Sequence, residues 1–125
     1  FWESQSAYQV QWQYDKGTNS YKRNNGEIHT DLNNKTQLAP KVVIVQFEKE
    51  SNANDGYPGN VHLLYGTTGS GRALIFQDGN AIEGKWVKVS RTARSKYLDK
   101  NGKEIELNGG QIWIQTVPEG SKVSY

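Results

Sequence analysis

Acid–base chemistry in this chain could involve five charged or titratable residues: Asp15, Arg23, His29, Asp31 and Glu83. Paired carboxylates that meet an arginine in a cleft can transfer protons. If the segment around His29 is extended, its imidazole and the carboxylate of Asp31 lie on the same side, close enough to share a proton or a metal ion. These residues are therefore the candidate catalytic set.

Each candidate also has an ordinary structural explanation. Asp15 follows a predicted strand and begins a turn, and Glu83 precedes a glycine at which a bend is expected. A surface His-x-Asp pair is more often a local hydrogen bond than a site. His62 is the other histidine, but no spacing rule joins it to His29 and Asp31 in a two-histidine, one-carboxylate metal site. The sequence indicates no metal and no cofactor, and it favours a protein without catalytic activity.

Familiar motifs for nucleophilic catalysis and phosphate binding are also missing. The chain has no cysteine and no Gly-x-Ser-x-Gly string. The glycine-rich segment 66–71 could aim backbone N–H groups at an anion. A phosphate loop, however, carries Gly-Lys-Ser or Gly-Lys-Thr and opens a helix, whereas Gly71-Arg72 leads into a strand-like run. The segment is therefore predicted to be a structural hairpin loop.

The aromatic residues allow two interpretations. A stacking platform for sugars or bases could be formed by Trp12, Trp86 and Trp113 with Tyr14, Tyr21, Tyr65 and Tyr97. Aromatic residues on alternating strands more often fill the core of a small β domain, and we favour that interpretation. Three further aromatics lie in predicted termini or loops and are expected to be exposed: Trp2, Tyr57 and Tyr125.

Composition sets the broad class. The 125 residues suffice for one domain with one core. The net charge of +2 is spread along the chain, which argues against nucleic-acid binding because that needs a concentrated basic patch. No apolar run approaches the ~18 residues of a membrane span. Because the chain starts at Phe1 and contains no methionine, we expect a processed chain or an excised domain.

Hydrophobic periodicity predicts strands rather than helices. Strict alternation over Tyr8–Tyr14 predicts a half-buried strand, and Ser20–Arg23 would be its hairpin partner. The run Lys41–Glu48 is the most apolar and predicts a central strand that is covered on both faces. The segment 51–60 is predicted to be an exposed loop, and Lys88–Leu98 leaves room for one short helical turn.

The segment from Arg72 to Pro118 predicts a β-meander. Its short alternating runs are separated by turn residues at 78–79, 84, 101–102 and 108–110. The whole pattern predicts an all-β domain, an antiparallel sandwich or partly open barrel of about eight to ten short meandering strands. We take residues 1–125 as a single β domain.

Short strings of unusual residues follow one another along nearly the whole chain. They are Val10-x-Trp12-x-Tyr14-Asp15, Tyr21-x-Arg23, Gly26, His29-x-Asp31, Val42-Val43, Gly71-Arg72, Asp78-Gly79, Ile82-x-Gly84-x-Trp86, Asp99-x-x-Gly102-Lys103-Glu104-Ile105, Leu107-Asn108-x-Gly110-x-x-Trp113-Ile114 and Val117-Pro118. In order and spacing they resemble the C-terminal domain of the YerB-like lipoprotein family of Gram-positive bacteria, a domain of unknown function.

The resemblance implies a secreted precursor with a lipid-attached cysteine and a further domain before this one. It implies a location on the outer face of the cytoplasmic membrane, with membrane association only through an anchor outside this chain. It assigns no reaction.

We therefore expect a non-catalytic, extracytoplasmic binding or protein-interaction module whose partner is an envelope protein or a cell-wall component. Sheet edges and the 51–60 and 66–71 loops are the expected contact surfaces. Two alternatives stay open. One is a cell-wall-acting enzyme built on Arg23, His29 and Asp31 with Glu83, and the other is a glycan-binding module that uses exposed aromatics. The sequence leaves the oligomeric state open.

Overall fold

The computed structural model describes residues 9–56, 59 and 62–125, and within these ranges all regular structure is β-strand. The strands are β1 (Val10–Asp15), β2 (Ser20–Asn25), β3 (Glu27–Ile28), β4 (Val42–Glu48), β5 (Glu50–Asn52), β6 (Leu63–Tyr65), β7 (Gly69–Gln77), β8 (Asn80–Lys88), β9 (Lys96–Leu98) and β10 (Ile112–Pro118). The predicted all-β class is confirmed. The expectations for Trp2, Tyr8 and Tyr57 concern residues outside the described ranges.

A separate finding concerns membranes: in the described part of the chain, no helix has the length and apolarity that a membrane crossing requires.

The strands form three sheets, with the orders β1-β2-β3, β10-β4-β7-β8-β9 and β5-β6. The predicted hairpin at the start of the chain is confirmed, because β1 and β2 pair antiparallel from Val10 opposite Asn25 to Asp15 opposite Ser20. The turn between them is closed by the Asp15 carboxylate, which accepts the backbone N–H of Gly17 at 2.9 Å.

Strand β4 is the most buried element. All seven of its residues are buried, and it lies between β10 and β7 in the five-stranded sheet. This confirms the predicted central strand covered on both faces. The buried apolar residues are Tyr21, Val42, Val43, Ile44, Val45, Phe47, Ala73, Leu74, Ile75, Trp86 and Tyr97.

The predicted meander is right for β7, β8 and β9 and wrong for β10. Asp78 and Gly79 have φ angles of 54° and 72°, as a two-residue type I′ hairpin turn between β7 and β8 requires. β10 does not continue the meander but pairs with β4. Hydrogen bonds from Lys41 N to Gln111 O and from Glu119 N to Glu48 O, both 2.9 Å, join the starts and the ends of these two strands, so they run parallel.

Two glycine-containing positions that were expected to interrupt the strands belong to strands instead. Gly84 was expected to separate two runs, but it lies within β8, where an added Cβ would be 2.3 Å from the carbonyl oxygen of Leu98. The glycine is required there by the close approach of β9 rather than by a bend. Gly69 and Gly71 likewise belong to β7, and the remaining residues, 66–68, connect β6 to β7, which are not neighbours. The predicted hairpin loop at 66–71 was therefore wrong.

The chain divides into two compact units. Unit 1 comprises residues 1–43, 76–80 and 107–113, and unit 2 comprises residues 44–75, 81–106 and 114–125. Within unit 1, the rings of Tyr14 and Tyr21 lie 5.1 Å apart, and the Tyr21 hydroxyl accepts the backbone N–H of Gly79 at 3.0 Å. The extent of the single β domain over residues 1–125 stays a prediction.

Within unit 2, a buried tryptophan packs across a glycine of β7. Trp86 is 2% exposed, and its indole N–H donates to the carbonyl oxygen of Phe47 at 2.8 Å. A Cβ at Gly71 would lie 2.5 Å from the indole nitrogen and 2.7 Å from that same carbonyl oxygen. The indole can therefore reach the backbone of β4 only because residue 71 has no side chain.

We predict that Gly71→Ala lowers the free energy of unfolding by about 1–3 kcal/mol, because the backbone carbonyl of Phe47 cannot move away from the new methyl group. Urea denaturation followed by tryptophan fluorescence measures the change. Gly109→Ala is the matched control: an added Cβ there has no neighbour within 4 Å, so the stability should change by less than about 0.5 kcal/mol. Equal stabilities for the two variants would contradict the packing argument.

Candidate functional site

The candidate site lies in unit 1 and is centred on a buried arginine. Arg23 of β2 is directly opposite Trp12 of β1 and is 6% exposed. The central carbon of its guanidinium lies 5.6 Å from the ring centre of Trp12 and 4.7 Å from that of Trp113. The two indoles meet edge to face, with centroids 5.5 Å apart. The guanidinium is therefore held by two cation–π contacts.

His29 completes this cluster. Its backbone N–H donates to the carbonyl oxygen of Arg23 at 3.1 Å, so the residue is held next to β2. In the side chains, Arg23 Nη1 contacts His29 Nδ1. A guanidinium has only donors, so Nδ1 must accept and the imidazole proton is on Nε2. His29 therefore presents an N–H group on the side of its ring that faces away from the arginine.

The backbone around Arg23 is fixed from two sides. Its N–H donates to the carbonyl oxygen of Leu38 at 2.9 Å. Its own carbonyl oxygen accepts from the Gln37 side chain at 3.1 Å, and the same amide group donates to Asn24 Oδ1. These contacts position the arginine independently of the two indoles.

The charge of Arg23 is not balanced by an acid among the described residues. Its Nε is buried and has no hydrogen-bond partner among them. Burial lowers the pKa of Arg23 below its ordinary value, but a guanidinium stays protonated under physiological conditions. The ion pairs in the described part of the chain join other groups. Unit 1 therefore holds a buried cation whose neighbours are two rings and an imidazole.

The structure does not bring the predicted carboxylates to this cluster. Asp31 accepts the backbone N–H groups of Asn33 at 2.8 Å and Asn34 at 3.1 Å, and so closes its own turn. Asp15 forms an ion pair with Lys22 at 2.7 Å, and this hydrogen-bonded contact holds its pKa below the ordinary value of 3.8.

The remaining member of the candidate set, Glu83, and the other histidine, His62, are in unit 2. Glu83 Oε1 pairs with Arg72 Nη2 at 2.9 Å, and both side chains are more than half exposed. His62 contacts the carboxylate of Asp55. Within the described ranges, no group of three His, Cys, Asp or Glu side chains is arranged to hold a metal ion. Of the predicted set, only Arg23 and His29 meet in the described structure.

The prediction that the aromatics fill the core is right for some residues and wrong for others. Trp86, Tyr21 and Tyr97 are buried, with 2%, 5% and 5% exposure. Trp12 and Trp113 are only partly buried, because they pack on the arginine rather than in the apolar core. Tyr125, expected to be exposed, is 74% exposed.

A second polar cluster, in unit 2, was not predicted from the sequence. The Tyr97 hydroxyl donates to Gln46 Oε1 at 3.1 Å, and Gln46 Nε2 donates to Glu48 Oε1 at 2.5 Å. Glu48 is 1% exposed, and its Oε2 is buried without a partner among the described residues. Burial raises the pKa of Glu48 above 4.5 and that of Tyr97 to about 12. The sequence did contain the signal for this cluster. Gln46 and Glu48 lie in the strand that was predicted to be covered on both faces, so their side chains had to be buried.

Comparison with known proteins identifies the family of this chain and a solved structure that is similar to it. Residues 1–114 match the family described as the C-terminal domain of a protein of unknown function (DUF3048). Among solved structures, the crystal structure of the YerB protein from Bacillus subtilis is similar, with a TM-score of 0.74 and 28% sequence identity over 88% of this chain. The chain spans only 36% of the length of that protein. No curated protein matches. The resemblance to the YerB-like family is confirmed.

We predict that Glu48→Gln stabilises the protein at neutral pH. A carboxyl whose pKa is raised by folding contributes its full stability below its unfolded value of 4.5 and loses it as the pH rises towards the folded pKa. Stability of the wild type should therefore fall from pH 4.5 upwards relative to the variant, in which this titration is absent.

Urea denaturation at a series of pH values between about 4 and 8 measures the difference. Glu119→Gln, at an exposed position, is the control and should follow the wild type. If the difference between wild type and Glu48→Gln does not depend on pH, Glu48 is not a buried acid that folding keeps protonated.

Proposed function

The chain belongs to the DUF3048 C-terminal domain family, and we propose that it is a non-catalytic binding or protein-interaction module of an extracytoplasmic lipoprotein. Its partner is an envelope protein or a cell-wall component. The extracytoplasmic location rests on the likeness to the YerB-like lipoproteins, and the module works together with the remainder of a longer protein.

One observation carries the choice of binding over catalysis: the cluster in unit 1 combines Arg23 and His29 with two half-exposed indoles but includes no carboxylate from the described residues. A cell-wall hydrolase needs an acid and a base that reach the scissile bond together. Asp31 and Asp15 are engaged in their own turns, at backbone N–H distances of 2.8 Å and 2.9 Å. The cluster is therefore equipped to hold a ligand rather than to transfer protons.

The arrangement of the rings weighs against a flat glycan platform. Trp12 and Trp113 meet at an interplanar angle of 62°, so they do not present parallel faces on which successive sugars could stack. If this pair of tryptophans binds a glycan, it would have to recognise one sugar unit at a time. The row of exposed rings that the glycan alternative requires is not formed by these two tryptophans.

Unit 2 offers an apolar contact surface that suits a protein partner. The two-stranded ribbon of β5 and β6 is exposed at all six of its residues. Leu63, Leu64 and Tyr65 are 38%, 56% and 37% exposed, and the Tyr65 hydroxyl donates to Glu50 Oε2 at 2.6 Å. An isolated two-stranded ribbon is marginally stable in water, and a partner that covers these side chains would stabilise it.

We predict that the immobilised 125-residue chain captures a defined component from envelope extract, and that it releases no soluble sugars or peptides from purified cell wall. Mass spectrometry identifies the captured component, and the longer protein serves as a parallel bait. Capture by the longer protein alone would refute an independent binding role for this chain. Release of wall fragments that is lost in His29→Ala would establish the enzyme instead.

We predict further that Leu64→Ser weakens capture of a protein partner by about 5- to 30-fold, because an exposed leucine that becomes buried on binding contributes roughly 1–2 kcal/mol. Val89→Ser is the matched control, since Val89 is 84% exposed and lies outside the ribbon. Quantitative binding of the purified component to both variants measures the effect. Equal losses for the two substitutions would exclude the ribbon as the contact surface.

A further inference from the structure

We propose that Arg23, Trp12, Trp113 and His29 form a binding site for a carboxylate-bearing ligand. The inference rests on the proposed binding function and names the ligand chemistry of one site within it. Four features of unit 1 carry it: an uncompensated buried cation, aspartates that are already engaged, one remaining donor edge and half-exposed rings around it.

The first feature is the cost of the buried charge. Arg23 is 6% exposed, and its Nε has no hydrogen-bond partner among the described residues. A buried ion without a counter-ion is strongly unfavourable, and an arginine cannot escape the cost by losing its proton. The lysines and arginines that do form ion pairs within the described ranges are Lys22, Arg72, Arg94 and Lys96. The cation–π contacts offset part of this cost, and an anion would offset the rest.

The second feature is that the aspartates of unit 1 already have partners. Asp31 closes the turn that follows His29, and Asp15 pairs with Lys22 at 2.7 Å. Asp78 Oδ1 accepts from the side-chain amides of Asn19 at 2.8 Å and Asn108 at 2.7 Å. None of these three aspartates is therefore the counter-ion of Arg23, and an external anion can take that role.

The third feature is the donor edge that remains. Nη1 is occupied by His29, while Nε, on the edge that it shares with Nη2, makes no hydrogen bond to the described residues. A carboxylate binds such an edge through two parallel hydrogen bonds. One guanidinium edge with one positive charge matches a monoanion. Lys22, the adjacent cation on β2, is already paired with Asp15.

The fourth feature is accessibility. Trp12, Trp113 and His29 are each partly exposed, so the cluster reaches the surface of unit 1, and a ligand gains access to the buried Arg23 Nε when one of these side chains moves aside. The ligand group next to the carboxylate would contact the indoles. This group could be a peptide backbone or a sugar ring, so the shared chemistry is a carboxylate attached to an uncharged, partly apolar body.

The test is a titration of the ¹⁵N-labelled 125-residue chain with matched probes. N-acetyl-alanyl-alanine is compared with its C-terminal amide, and glucuronate is compared with glucose. The indole N–H signals of Trp12 and Trp113 should shift and saturate with a carboxylate probe and not with its neutral counterpart. The peptide and sugar arms separate the two sources of the carboxylate.

Two variants locate the site. Arg23→Met should weaken binding of the carboxylate probe by about 10-fold or more, because it removes the charged donor edge. Lys22→Met is the matched control on the same strand and should change the affinity by less than about twofold, since its charge is already paired at the surface. If Arg23→Met does not fold, His29→Gln at a half-exposed position should still weaken the same binding, and the probe should raise the melting temperature of the wild type.

Equal shifts with charged and neutral probes, or unchanged affinity in Arg23→Met, would overturn the carboxylate site. The proposed binding function is tested separately, by capture from envelope extract. If envelope capture succeeds while the probes fail to discriminate, the module remains and this site is wrong. If the probes bind as expected while no envelope component is captured, the site remains and the proposed function is wrong.

Discussion

The burial of β4 is the constraint on which the rest of the fold depends. Seven successive residues are removed from water, so both edges of this strand must be hydrogen-bonded and both of its faces must be covered. β7 supplies one edge, and β10 leaves the meander to supply the other. The same strand provides the carbonyl oxygen of Phe47 that receives the Trp86 indole, which in turn requires a glycine at position 71.

Two buried ionisable groups of this chain differ in how close they lie to the surface. Glu48 is surrounded by residues that are themselves buried, since Gln46 and Tyr97 are each 5% exposed. Its unfavourable burial is a consequence of lying in β4, and ligands have no access to it. Arg23 is similarly buried, but its neighbours Trp12, Trp113 and His29 are half-exposed. The cost of a buried charge that lies next to the surface can be offset by a ligand, and this is why the proposed site is built on Arg23 and not on Glu48.

Local patterns predicted those elements whose partners are near in sequence. The β1–β2 hairpin followed from alternation and from the turn chemistry of Asp15, and the β7–β8 hairpin followed from Asp78-Gly79. The candidate site was predicted in part: Arg23 and His29 were named and do meet, whereas Asp31 was expected beside His29 but turns to its own backbone. An aspartate followed by Asn33 and Asn34 satisfies its carboxylate most readily within the turn, and side-chain alternation does not reveal that competition.

The family, the all-β class and the buried central strand could be predicted from the sequence, because they depend on short residue strings, periodicity and local turn geometry. The parallel pairing of β10 with β4, the close approach of β9 to Gly84 and the packing of Trp113 on Arg23 became apparent only in the folded chain. These contacts join residues far apart in the chain, and the choice among possible partners depends on which arrangement buries the apolar surface and satisfies the polar groups together.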